Sequence, residues 1–362
     1  MQIISDRQAL HRIPELDRAL PETIAYLRSS LKKCRCQVFS PMESALCAWF
    51  DFGAADTIAF RSDADALPIQ EQTGAPYAST HPGKMHACGH DGHMAILLEL
   101  ARRLSEKEKM PHNILLVFQP GEETAGGAKA LCDTGVFAQY GVKAIFGLHL
   151  WPGLETGVVA SRRGALMART SEVHVDIQGK TAHIAKAEEG LDALAAGVEF
   201  YQRARQLEQS LPDGTRRLLK FGRLCSGTVC NAISGYTRLD GSLRSYEDGV
   251  FETLRDGILA IGKAVEKETG CTVTVHMTEG CPPVWNPEDL CEKVRSVAPF
   301  RELEEPSMTA EDFSWYQRYL PGMFFFLGLG DAPTLHSDNF DFDENILLKG
   351  VEFFLRLAEG LL

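Results

Sequence analysis

The chain has no apolar run of membrane length, no compact Lys/Arg block and no framework of paired cysteines. Each absence removes a class of protein. Without a long apolar run, no part of it is expected in a bilayer. Met1 to Asp17 alternates polar and apolar residues and lacks the apolar core of a secretory signal, so a cytoplasmic protein is expected. Asp and Glu number 49 against 37 Lys and Arg, a formal net charge of -12. That balance offers no basic face for phosphates, which argues against nucleic-acid and anionic-membrane partners. The ten cysteines, at 34, 36, 47, 88, 132, 225, 230, 271, 281 and 291, follow neither zinc-ribbon nor disulfide-scaffold spacing, so most are expected to be reduced and buried. Cys34-Arg35-Cys36 has no histidine nearby and reads as structural. Internal repeats and low-complexity tracts are also missing.

What is present is an ordinary globular composition, 362 residues with 44% hydrophobic and 24% charged, enough for a sizeable core and two domains. Helical periodicity runs from about 10 to 33, with Pro21 at a helix start and Leu20, Ile24, Leu27 and Leu31 on one stripe. Strands then alternate with helices: strands at 47–52, 57–60, 113–118 and 144–148, helices at 94–104 and 127–133. This βα alternation predicts an α/β fold with a mainly parallel sheet. From about 170 the order changes to strand 173–177, helix 191–211, strands 217–224 and 237–243, helix 250–268 and strand 272–277. That βαββαβ order is the ferredoxin-like split motif. It implies a discontinuous catalytic domain, residues 1–168 and 281–362, interrupted by an inserted lid domain, 169–280, whose sheet edge could pair across a homodimer.

The run Gly83 to His93 places a thiol and three imidazoles, His86, Cys88, His90 and His93, within eight residues. Cys88 and His90 are two apart, and in an extended segment they share a face within reach of one ion of borderline softness. Three further clusters stand just past buried strands: Glu122-Glu123 after 113–118, His149 after 144–148, and His336 after 323–329. Ligands gather at the carboxyl ends of strands in open α/β sheets, so these ends predict one shared site. Five donors, Cys88, His90, Glu123, His149 and His336, exceed one tetrahedral zinc and suit two divalent ions about 3.5 to 4 Å apart. Adjacent residues in an extended turn point differently, leaving Glu122 to face the attacking water as general base. Asp63 and Asp65 follow a strand as ligands or as second acceptors that orient a ligating histidine, the latter being favoured. His93 is expected to pack or cap at a helix start, and His11, His81, His112, His174 and His276 are read as structural. In the inserted segment, His183 closes a small-residue turn and could stabilise an oxyanion on lid closure, while Asn231 and Arg244 suit a substrate carboxylate.

Nearly the whole length resembles the M20 metallopeptidases, in particular their amidohydrolase branch of hippurate hydrolases, auxin-conjugate hydrolases and N-acyl-amino-acid deacetylases. The resemblance rests on His11-Arg12-Ile13-Pro14-Glu15-Leu16, Arg61 to Ile69, Gly83 to His93, Phe118 to Glu123, Gly227 to Asn231, Glu311-Asp312-Phe313-Ser314 and Leu335-His336-Ser337. It implies a dinuclear site of Cys88, His90, Glu123, His149 and His336, Glu122 as base, His183 polarising the scissile carbonyl, and Asn231 and Arg244 on the substrate carboxylate. The implied activity is metal-dependent hydrolysis of an N-acyl amino acid, or a small peptide-like amide, with Mn, Zn, Ni or Co. Ala187-Glu188 departs from the branch's usual Pro-His and bears on the substrate. A dipeptidase or carboxypeptidase on the same scaffold, with Glu188 reading the substrate amine, and a non-enzymatic metal-binding protein are the alternatives.

Overall fold

Strands without apolar alternation occupy the middle of the larger sheet, because both faces are covered. Thr57–Asp63, Asn113–Gln119 and Gly322–Gly328 are buried at every residue. The computed structural model describes residues 1–124 and 126–361. It divides into unit 1, Met1–Leu166, Val284–Pro306 and Glu311–Leu362, and unit 2, Met167–Pro283 with Ser307–Ala310.

Unit 1 is built on an eight-stranded sheet. Thr57–Asp63 lies parallel to Asn113–Gln119 on one side and to Val142–Trp151 on the other, and Gly322–Gly328 pairs parallel with Val142–Trp151. Antiparallel pairing is confined to the flanks, where Leu46–Phe50 meets Asn113–Gln119 and Val159–Ser161 meets Gly322–Gly328. The mainly parallel α/β sheet expected from the sequence is therefore observed. One core runs through it, joining Phe60, Leu116, Phe146 and Phe325 of the sheet to Leu97 and Leu100 of the helix His90–Ser105 and Phe354 of Leu347–Gly360.

Unit 2 carries the expected βαββαβ order. Its four strands pair antiparallel throughout, with Arg169–Gln178 between Thr272–Met277 and Tyr236–Ser245, and Arg217–Ser226 on the outer edge. Here the strands alternate. Val173, Val175 and Ile177 face the helices Ala193–Ser210 and Asp248–Thr269 and form a separate core with Phe200, Leu239, Leu254 and Ile258.

Several element bounds change, and His149, expected past its strand, falls within Val142–Trp151. The single helix expected over 10–33 is two, Gln2–His11 and Pro21–Leu31. Pro14 and Pro21 end one and open the other, and the buried face of the first includes Asp6, Arg7 and His11, so apolar periodicity does not report it. The helix expected from Met94 starts at His90, behind Gly89, whose φ of 83° is a left-handed conformation suited to glycine. Cys88 and His90 thus flank a turn into a helix and do not share an extended face. Strand Thr57–Asp63 runs three residues further than expected and includes Arg61 and Asp63. Among the described residues no helix is long and apolar enough to cross a membrane.

Candidate metal centre

All five donors read from the sequence meet in unit 1, at the carboxyl ends of its parallel strands. Ligand atoms lie within 4.8 Å of one another in four groups: Asp63, His90, His93 and His149; Cys88, Glu123 and His336; His90, Glu122 and Glu123; and Glu122, Glu311 and Asp312. Cys88 Sγ is 3.4 Å from His149 Nε2, and Glu123 Oε1 is 3.9 Å from His90 Nε2 and 3.5 Å from His336 Nε2.

Backbone carbonyls set the ligating face of two imidazoles. His90 Nδ1–H donates to the carbonyl of Asp65 at 2.8 Å, and His149 Nδ1–H to that of Leu150 at 2.7 Å. Each ring therefore keeps its lone pair on Nε2, directed into the site. His336 has a φ of 64°, uncommon for a residue with a Cβ, and its amide donates to Ala87 O at 2.8 Å, fastening the C-terminal segment beside the Cys88 turn.

Two buried atoms of this set, His90 Nε2 and Glu123 Oε1, have no hydrogen-bond partner in the protein. A buried acceptor left bare costs roughly 1–3 kcal/mol, and acceptors of both kinds aimed at one spot fit a cation. The charges agree. Burial, then the nearby Asp65, pushes the Glu123 carboxyl up to about 8, and burial with Glu311 and Glu123 close by holds Glu122 well above its ordinary range. Burial, reinforced by Glu123 and Glu122, raises the Cys88 thiol strongly, while burial brings His90 down to about 4. Bound cations reverse the penalty on the acidic groups and take the neutral imidazoles as they stand. The residues present therefore fit divalent metal.

Asp63 and Asp65, expected as acceptors that orient a ligating histidine, each do something different. The Asp65 carboxylate accepts the amides of Glu122 at 3.0 Å and Glu123 at 3.1 Å, so it pins the acidic turn while its carbonyl holds His90. Asp63 Oδ1 accepts from His93 at 2.6 Å, while its Oδ2 stands 3.5 Å from His90 Nε2. Burial works against its ionisation, but His90, His93 and Arg61 hold its carboxyl well below the ordinary range.

Sequence reasoning gave no role to Arg61, Gln119, Glu311 or Asp312. Arg61 is fully buried and reaches Asp63, Glu311 and Asp312, each at 3.0 Å, and donates from Nε to Gln119 at 2.8 Å. Gln119 donates to Asp312, whose amide approaches Glu122 Oε1 at 3.4 Å. This network backs the Glu122 side of the site. The signal available was Arg61 and Asp63 at period two in a strand buried on both faces, where a cation must find acidic partners.

His11 is also not partnerless. It bonds Asp91 at 2.7 Å and Glu71 at 3.3 Å, beside Arg7, which pairs with Asp91 at 2.8 Å. The other histidines set aside are bonded too, His81 to Pro14 O at 2.9 Å and His174 to Asp240 at 2.7 Å, with His112 on Asp56 and His276 stacked on His174. His86 is buried, with both ring nitrogens lacking a protein partner.

In unit 2, His183 is exposed and its Nδ1 accepts the Ala185 amide at 3.1 Å, so Nε2 carries the proton and points outward as a donor. The Ile184 amide bonds Asn231 O at 3.0 Å, which sets His183 and Asn231 side by side. Arg244 is elsewhere. It pairs with Thr170, whereas Tyr236, nearest Asn231, pairs with Gln178, eight residues along the same strand. At about 3.3 Å per residue that is roughly 26 Å of strand between Arg244 and the Tyr236 end. Arg244 Nη1 instead donates to Met308 O at 2.7 Å.

Residues 59–360 match the profile described as Peptidase family M20/M25/M40. An N-acetyldiaminopimelate deacetylase of Limosilactobacillus fermentum is 33% identical over 365 residues, covering 97% of this chain and 95% of the relative. An uncharacterized hydrolase of Staphylococcus aureus is 30% identical, covering 99% and 97%. Among solved structures, the Bacillus subtilis YXEP protein, described as a dinuclear metal binding peptidase from the M20 family, is similar with a TM-score of 0.85 and 27% identity, covering 99% of this chain and 96% of that one. With its fold, its convergent donors and these matches, the chain belongs to peptidase family M20/M25/M40 and is a metal-dependent hydrolase.

Proposed function

We propose that this protein is a cytoplasmic two-metal amidohydrolase that cleaves N-acyl amino acids to a carboxylate and a free amino acid. N-acetyl substrates are the first class to test, and N-acetyldiaminopimelate the first compound, because a relative of 33% identity is named for its deacetylation. The observation that carries the reading is the pair of bare buried acceptors, His90 Nε2 and Glu123 Oε1, among Cys88, His149 and His336.

These five residues would hold two divalent ions, which would supply Lewis acidity toward water and the scissile carbonyl. Glu122 takes the proton from that water and passes it to the leaving amine. Asp65 keeps Glu122 and Glu123 in register through their amides. His183 donates from Nε2 to the developing oxyanion, with Asn231 beside it, and Arg244 takes the substrate carboxylate.

Within an amino-acid substrate the scissile carbonyl and the carboxylate are only a few bonds apart, whereas His183 and Arg244 of one copy stand at opposite ends of a strand. The proposal therefore includes a homodimer through unit 2, in which one copy supplies His183 and Asn231 and the other Arg244. Glu188, exposed in the turn Ile184–Glu189, bears on substrate choice.

The test is a panel of N-acetyl and N-benzoyl amino acids and free dipeptides, assayed with Mn, Zn, Co and Ni. Turnover of acylated amino acids well above dipeptides is expected. Preference for free dipeptides would replace the reading with a dipeptidase.

A further inference from the structure

His93 lies in the same 4.8 Å group as His90 and His149, yet its two ring nitrogens are already committed. Nδ1 stands 2.6 Å from Asp63 Oδ1, and Nε2 accepts the backbone amide of Leu150 at 2.9 Å. An amide N–H can only donate, so Nε2 bears a lone pair and the proton is on Nδ1, facing a carboxylate that Arg61 also grips at 3.0 Å. With both positions used, His93 has no atom to offer a metal.

The residue whose amide it holds is the one whose carbonyl sets His149. The carbonyl of Leu150 accepts His149 Nδ1–H, while the amide of Leu150 is anchored by His93. A chain of bonds thus runs from Arg61 through Asp63, His93 and the Leu150 backbone to the His149 ring. The two rings also touch, 4.6 Å between centroids at 66°. Packing supports the same contact. A Cβ on Gly92 would fall 2.8 Å from Leu150 Cδ1, so the glycine lets the helix start seat against the strand end where this bond forms.

We propose that His93 is a positioning residue of the metal centre, which fixes the tautomer and direction of His149 through the backbone of Leu150. This rests on the two-metal reading above. Removing such a support is expected to weaken metal affinity by about 10–100-fold, the usual effect of losing a partner behind a ligating histidine.

Two substitutions separate the two bonds. In His93→Asn the side-chain amide can replace Nδ1 toward Asp63 but cannot reach the Leu150 amide. In His93→Gln the longer side chain can accept from Leu150. Metal-free wild type and both variants would be titrated with Zn²⁺ in competition with a chromogenic chelator, and ¹⁵N NMR of the metal-free proteins would report the His149 tautomer. Wild type should bind two ions and hold His149 as the Nδ1–H form. His93→Asn should lose at least tenfold in affinity at one of the two sites and show a mixed tautomer, and His93→Gln should recover most of both. Unchanged affinity in His93→Asn, or equal losses in the two variants, overturns the proposal while leaving the two-metal reading intact. Fewer than two ions bound by wild type overturns both.

Discussion

Asp65 holds three groups of this site in place. One buried carboxylate accepts the amides of both Glu122 and Glu123, and the same residue's carbonyl orients His90. Burial raises its carboxyl to about 8 in spite of those two amide bonds. Asp65→Asn keeps one acceptor but turns an NH₂ toward the other amide, so the acidic turn loses a bond and gains a repulsion. Turnover is expected to drop about 10–100-fold with weaker metal binding, since supports behind ligands act on that scale. Metal titration alongside steady-state rates checks this, and wild-type values for both would remove Asp65 from the account. The candidate ligands were legible, because a thiol, imidazoles and adjacent carboxylates at several strand ends have few other uses. Their supports were not. Asp65 acts on backbone amides, which have no residue-type signature, and Arg61 is explained only by acidic residues 2 and about 250 positions away.

At the scale of elements, the N-terminal helix Gln2–His11 is held by buried charge as well as by Ile3 and Leu10 in the core. Arg7 is buried and pairs with Asp91 at 2.8 Å, Asp341 at 3.0 Å and Glu344 at 3.3 Å, with its guanidinium over the Tyr77 and Phe342 rings. Arg7→Met leaves Asp91 as a buried, undercompensated charge, and a loss of roughly 3–5 kcal/mol is expected in denaturant unfolding of the metal-free protein. A cost below about 1 kcal/mol would mean the acids are satisfied without it. His11 adds a pH dependence. Burial alone would lower its pKa, but Asp91 and Glu71 raise it to about 9. A histidine whose folded pKa is raised contributes stability fully below its unfolded value near 6.5, and that contribution disappears as pH climbs through 9. Metal-free wild type should therefore lose on the order of 3 kcal/mol between pH 6.5 and 9.5 that His11→Gln does not lose. Parallel pH profiles for the two proteins would contradict the assignment. This helix escaped the sequence reading for the same reason it is stable: Asp6, Arg7 and His11 sit where apolar residues would have marked it. By contrast, Gly127–Asp133 and Thr272–Met277 coincide with their expected bounds, because turn residues punctuate one and strict alternation the other.

For the whole molecule, all five donors belong to unit 1 and His183 to unit 2. His183→Ala is thus expected to keep its metals and lose turnover, with the loss in kcat more than in KM. Arg244→Ala should raise KM, as it removes a contact to the unreacting carboxylate. The shared-site proposal makes a sharper statement about the two together. In a mixed dimer one site receives both defects and the other receives none, so an equilibrated equimolar mixture should regain about a quarter of wild-type activity, half the dimers being mixed with one intact site each. No gain over the separate variants would place His183 and Arg244 of one copy at the same substrate, or exclude the dimer.

The central claim is that Glu122 moves the proton while five other residues hold two metals. Glu122→Gln keeps the size of the side chain but cannot take a proton. The most direct test is metal content and acetate release measured on the same preparations of wild type and Glu122→Gln, with N-acetyldiaminopimelate and other N-acetyl amino acids as substrates. The account predicts two ions per chain in both proteins and a fall in turnover of at least about 100-fold in the variant. Near-normal turnover by Glu122→Gln with its metals in place would contradict it.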